Sequence, residues 1–281
     1  MFQVVTDSAA DMPAEWLKTY NIKVIPINIH FKEHTYLQGI DLTNEQFYQL
    51  VDQSGVIPKT SQPTPQQFED FYRNIAQPGD TILSLHVTGK LSGTFASAEL
   101  AAQNVQNDFH VIPFDSGAGS VAMGYMCKEA RLLAQAGASL KEIITRLEYI
   151  RKNVSIVLTL DTLEYAKMSG RVKTLQAALA SILNVKPIVI LRDGILDMAG
   201  KVRTRQRALE HILEVVRMNV GDRLVNAAVV HARDPKAGQA LLQRVRDLLN
   251  CNELVLTELA ISIAANLGPG TVGIVAYAIE N

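Results

Sequence analysis

Two kinds of apolar run alternate through the first half of the chain. Short, nearly continuous stretches at 2–6, 22–31, 81–87 and 108–114 predict buried strands, because strands covered on both faces lose the alternation of a half-exposed sheet. Between them the apolar residues fall at helical spacing. The segment 95–105 places Phe95, Ala98, Ala101 or Ala102 and Val105 on one face, an alanine-rich helix follows position 120, and a further helix spans 139–151. Helix starts are marked locally. Pro13 opens a short helix over 12–17, and Thr43 with Gln46 reads as a capping box for a helix reaching about 52. Thr64 caps a helix that Pro65 begins and that runs to about 76. The segment 32–41 reads as polar turn, and the stretch from Lys59 to Pro65 is barred from helix before its second proline.

Small polar residues stand at three strand ends: Asp7-Ser8, Ser92-Gly93 and Asp115-Ser116. Strand and helix in alternation predict a doubly wound parallel sheet, which binds ligands at the carboxyl ends of its strands. From 154 the pattern changes. Strands are predicted at 154–160, 187–191, 195–198, 224–231, 253–259 and 271–278, with helices at 162–169, 175–183, 202–217 and 235–249. Arg192-Asp193-Gly194 reads as a hairpin turn. The expectation is an α/β chain: a Rossmann-like parallel-sheet domain over 1–153, then an α+β domain over 154–281.

Composition narrows the function classes. The 281 residues are 48% hydrophobic and 20% charged, with a net charge of −1, which argues against a nucleic-acid binder or an anionic membrane surface. Two cysteines, Cys127 and Cys251, give no disulfide framework, and neither a signal peptide nor a membrane-spanning segment is expected, so the expected location is the cytoplasm.

The residues that bear chemistry are sparse. Neither the phosphate loop Gly-x-x-x-x-Gly-Lys-Ser/Thr nor Gly-x-Gly-x-x-Gly after the first strand occurs. No metal site is expected: His30 and His34 read as a surface pair, and His86 and His231, at strand ends, read either as bases or, the commoner case, as hydrogen-bonded structural histidines. Ser92 lacks the Gly-x-Ser-x-Gly spacing of a hydrolase nucleophile, and no Ser-His-Asp triad can be assembled from the sequence. Leu91-Ser92-Gly93-Thr94 is either an ordinary helix cap or an anion-holding turn with outward N–H groups. Asp7 and Asp115 read as turn residues. Lys201, Arg203, Arg205 and Arg207 open a helix with the wrong sign for its dipole, which leaves an anion or partner site and a solvated face at even weight.

Taken in order, Thr6-Asp7-Ser8, Thr60-Ser61-Gln62-Pro63-Thr64-Pro65, Leu91-Ser92-Gly93-Thr94, Asp115-Ser116, Leu183-Asn184-Val185-Lys186-Pro187-Ile188 and Gly268-Pro269-Gly270 resemble the motifs of the DegV family and cover nearly the whole chain. The resemblance implies a bacterial fatty-acid-binding subunit of a fatty acid kinase. It would hold one long-chain fatty acid between its two domains while a separate catalytic subunit phosphorylates the carboxylate. It implies no cofactor and no catalytic residue on this chain. Thr60, Ser61 and Ser92 would meet the carboxylate with their hydroxyls and Gly93 with its N–H. Asn266 stands where the family often has a histidine; it can donate a hydrogen bond but carries no charge. Arg203 or Arg205 would serve the kinase partner. Lys167-Met168-Ser169-Gly170-Arg171 departs from the family's Lys-Gly-Gly-Arg. The alternatives are a small-molecule kinase or phosphotransferase of the dihydroxyacetone-kinase-like fold and a regulatory adaptor docked through its basic helix.

Overall fold

The computed structural model describes residues 1–170 and 185–279. The chain divides into two compact units: Met1–Arg151 together with Ala260–Ser262, and Lys152–Leu259 with the chain from Ile263 onward.

In the first unit, β1 (Phe2–Asp7), β2 (Ile22–Ile25), β6 (Thr81–His86) and β7 (His110–Asp115) form a parallel sheet in the order β2-β1-β6-β7. Helices α1 (Ala14–Thr19), α3 (Pro65–Ile75), α4 (Thr94–Asn104), α5 (Val121–Gln135) and α6 (Leu140–Asn153) run between or after these strands. Val5, Ile25 and Ile82 of the sheet pack with Phe68, Tyr72, Ala98 and Ala101, so the face of α4 expected from its spacing is the one buried.

The run 22–31 is not one strand. Pro26 has no N–H to give a ladder, so β2 stops at Ile25 and the chain leaves the parallel sheet. It resumes as β3 (Asn28–Phe31), turns through Lys32 at φ 54°, and returns as β4 (His34–Leu37), where the sequence reading expected only a polar turn. With β5 (Lys59–Ser61) these make a separate antiparallel sheet ordered β4-β3-β5. Between them lies α2 (Asn44–Ser54), capped as expected by Thr43 and Gln46 in both directions. The α3 start also carries a full capping box, from Thr64 and Gln67, where only the threonine cap was expected.

The second unit holds a mixed sheet ordered β10-β9-β8-β13-β11-β12. Its strands are β8 (Ser155–Thr159), β9 (Lys186–Arg192), β10 (Ile195–Val202), β11 (Val225–His231), β12 (Cys251–Glu258) and β13 (Val272–Ala278). The β9–β10 hairpin turns on Asp193 and Gly194 at φ 49° and 76°, the pair of positive angles that a type I′ turn demands. Helix α7 (Glu164–Ser169) ends on left-handed Gly170. Helices α8 (Arg205–Val220) and α9 (Pro235–Leu248) pack Ile212, Val216, Leu241 and Val245 into the core with Val229 and Ile274. The helix expected over 175–183, with Arg171, Leu183 and Asn184 of the motifs, lies outside the described residues. No helix among the described residues is long and apolar enough to cross a membrane.

Cys127, on α5, is wholly buried, and burial pushes its thiol up to about 12, while the half-buried Cys251 is raised less. A thiol far above ambient pH holds almost no thiolate. At pH 8 a disulfide reagent should therefore label one thiol per folded chain, Cys251. Mass mapping that finds Cys127 labelled at a comparable rate in native protein would contradict this burial.

Candidate functional site

The best-organised polar group lies at the carboxyl ends of β1 and β6. Asp7 and His86 are fully buried, and Asp7 Oδ2 accepts from His86 Nδ1 at 3.1 Å and from Val87 N at 3.0 Å, while Oδ1 accepts from Ala9 N at 3.0 Å. His86 Nε2 lies 2.6 Å from Ser84 Oγ, which in turn meets Tyr72 Oη at 2.8 Å. With one ring hydrogen on Nδ1 every member is satisfied: Tyr72 donates to Ser84, Ser84 to Nε2, and Nδ1 to the carboxylate. This is a Ser-His-Asp chain that the sequence could not assemble. Its serine is sealed in the core and shares its hydroxyl with Tyr72, so it fixes strand ends rather than attacks a substrate. Burial also raises the Tyr72 phenol far above its ordinary range, against the smaller lowering effect of the Ser84 bond.

That network anchors the start of the loop leading to α4. Thr88 N donates to Ala118 O at 2.8 Å, Gly89 N donates to Asp115 Oδ2 at 3.1 Å, and Thr88 O accepts from both Leu91 N and Ser92 N. Asp115 also accepts from Gly117 N, which makes it the turn residue expected. Ser92 is half-buried. Its Oγ lies 2.8 Å from Thr94 Oγ1 and accepts weakly from Thr94 N at 3.3 Å. Gly93 is the N-cap of α4 without a side-chain cap, and its N–H has no hydrogen-bond partner among the described residues. The helix start therefore keeps open donors at its positive end.

The loop meets β5. A Cβ on Gly93 would stand 2.8 Å from the Gln62 side-chain amide, so this position accepts only glycine without moving Gln62. Gln62 was missed in the sequence reading, because no local pattern links it to Gly93. In an extended strand Thr60 shares a face with residue 62 and with its cross-strand partner Ile29, whereas Ser61 turns to the opposite face. Ser61 Oγ is accordingly 2.7 Å from His30 Nε2, whose Nδ1 lies 2.9 Å from Thr35 Oγ1. Gly93 is thus placed against Gln62, two residues after Thr60 in the chain, and Ser61 is engaged with His30. A cavity of about 310 Å³ in the same unit opens beside Asp7, walled partly by Ser8, Met12, Leu17, Val24 and Leu42, and its lining includes neither Thr60 nor Ser92.

In the second unit, Asn266 sits on α10 (Ile261–Leu267), a short helix the sequence reading did not anticipate. The turn after it is braced: Gly268 and Gly270 adopt φ 87° and 77°, and Gly270 N donates to Ala232 O at 2.8 Å. The basic helix starts later than expected. Lys201 ends in β10 and Thr204 is the N-cap, so of the four cations only Arg205 and Arg207 belong to the first turn. Arg205 is paired with Asp234 at 2.9 Å, and Asp234 also caps α9 through Ala237 N. Arg203 is exposed. His231 is buried, and burial holds its imidazole below the ordinary range against the smaller opposing pull of Glu258 and Asp234. Among the described residues no cluster of three or more His, Cys, Asp or Glu could hold a metal ion.

A parallel-sheet unit whose loop at the strand ends carries Thr88 and Ser92, joined in one chain to a mixed-sheet unit, defines a two-unit α/β protein whose sequence lacks a nucleotide phosphate loop. The chain belongs to the DegV family: a family model described as "Uncharacterised protein, DegV family" matches residues 1–278. A DegV domain-containing protein of Deinococcus radiodurans is 32% identical over 275 residues, 96% of each chain. Among solved structures, a fatty-acid-binding DegV family protein from Thermus thermophilus is 34% identical, covers 99% of both chains and superposes with a TM-score of 0.90. DegV from Bacillus subtilis, a fatty acid binding protein, is 31% identical over 99% of both chains with a TM-score of 0.89.

Proposed function

We propose that this protein holds a long-chain fatty acid and presents its carboxylate to a separate kinase subunit, which forms the acyl phosphate. The observation that carries this reading is the contact of Gln62, which follows Thr60 and Ser61, with Gly93 at the uncapped start of α4 beside Ser92. The likeness to the Thermus and Bacillus fatty-acid-binding proteins supports it. The chemistry of the ligand fits such a site. Each buried methylene contributes about 0.8 kcal/mol, so the tail supplies the affinity. The carboxylate then needs donors, because an unpaired buried charge is costly, and hydroxyls with a backbone N–H meet that need without a metal. In this reading exposed Arg203, rather than the Asp234-bound Arg205, serves the kinase.

The test is native mass spectrometry with lipid extraction. We expect one fatty acid per chain, either co-purified from a bacterial host or taken up from added palmitate, and acyl phosphate from ATP only when a kinase subunit is added. Protein that neither carries nor takes up a fatty acid overturns the proposal.

A further inference from the structure

We infer that Gln62 is a head-group residue: its side-chain amide donates a hydrogen bond to the ligand carboxylate and makes the site select a carboxylate over an uncharged head of the same length. The inference rests on the fatty-acid reading above and deepens it.

Three observations place the amide there. Its contact with Gly93 lays it across the loop whose N–H is without a partner among the described residues. Its backbone is held by one hydrogen bond and by the following proline. Asn28 Nδ2 donates to Gln62 O at 3.1 Å; Asn28 is itself locked to Gln67, with Nδ2 donating to Gln67 Oε1 at 3.3 Å and Gln67 Nε2 donating back at 3.2 Å; and Pro63 confines residue 62 to extended backbone. Gln62 is exposed in its unit, and the amide itself forms no hydrogen bond with any described residue, so its donors are open to a ligand beside Gly93. A side chain so firmly based and chemically uncommitted is set to act on what enters beside it.

The donor inventory then decides which head group it suits. A carboxylate only accepts, and Thr60, Ser92, Gly93 and Gln62 all offer donors. Each carries no formal charge, so the set satisfies a single negative charge without the cation that a doubly charged phosphate would call for. An alcohol offers one donor and accepts through one oxygen, so it leaves part of the set unused. Gln62 thus adds to carboxylate affinity and contributes little to the apolar tail.

Titration of palmitate and of 1-hexadecanol into delipidated protein tests this. For Gln62→Leu we expect palmitate to bind about tenfold more weakly or worse, the scale of one hydrogen bond to a charged group, with hexadecanol changed by no more than about twofold. Gln62→Glu, which places a second carboxylate beside the first, should weaken palmitate further at pH 8 and leave hexadecanol in place. Wild-type palmitate affinity in Gln62→Leu overturns the inference, and so does an equal loss for both ligands, which marks a merely structural residue. Wild-type protein that binds neither ligand overturns instead the fatty-acid reading beneath it.

Discussion

Replacing Asp7 by alanine should cost about 3–5 kcal/mol, a large part of the stability of an ordinary domain. The carboxylate is wholly buried and takes hydrogen bonds from Ala9 N, Val87 N and His86 Nδ1. Alanine leaves all three donors without their acceptor, and an unmade bond at a buried or part-buried donor costs about 1–3 kcal/mol. Tyr72→Phe should cost only about 1 kcal/mol, because Ser84 keeps His86 as partner. Trp16, the one tryptophan of the sequence, is buried in the first unit, and its fluorescence through urea unfolding reads out both variants. Equal midpoints for Asp7→Ala and wild type would mean that Asp7 is not the anchor described.

The other large effect falls on ligand. Thr60→Val combined with Ser92→Ala should weaken palmitate binding by about 100-fold or more, since two hydroxyls to one charged acceptor contribute about 1.5–3 kcal/mol each. Both side chains are half-buried and the Thr60 hydroxyl has no hydrogen-bond partner among the described residues, so the unfolding free energy from urea titration should change by less than about 1 kcal/mol. Isothermal titration on delipidated protein checks the affinity. A double variant that binds palmitate as tightly as wild type removes these hydroxyls from the site.

What could be read in advance was local. Thr43 with Gln46, Pro65 behind Thr64, and Asp193-Gly194 each fix backbone within four residues, and each stands where its chemistry put it. Pro26 was in view but was overridden by the apolar residues on either side, which belong to two different sheets. Helix α10 has seven residues, too few for a helical period to stand out from the strand that follows. The site was legible as residue types and not as geometry. Ser92 and Gly93 could be singled out because they open a helix. That Thr60 and Ser61 take opposite faces depends on the pairing with β3, and the partners of Ser61 and Asp7, at separations of 31 and 79 residues, depend on folding.

The first unit has a consequence for how its gene segment is delimited. Ala260 N donates to Asp11 Oδ1 and Ser262 N donates to Gln38 Oε1, both at 2.8 Å, and both acceptors are buried. Residues translated more than a hundred positions after Arg151 are therefore part of that unit's own structure. A reading frame stopped at 151 encodes a unit lacking three of its residues, with Asp11 and Gln38 short of a donor each. During synthesis, the parallel-sheet unit emerges first yet is completed among the last, only after the strands of the second unit up to β12 have left the ribosome.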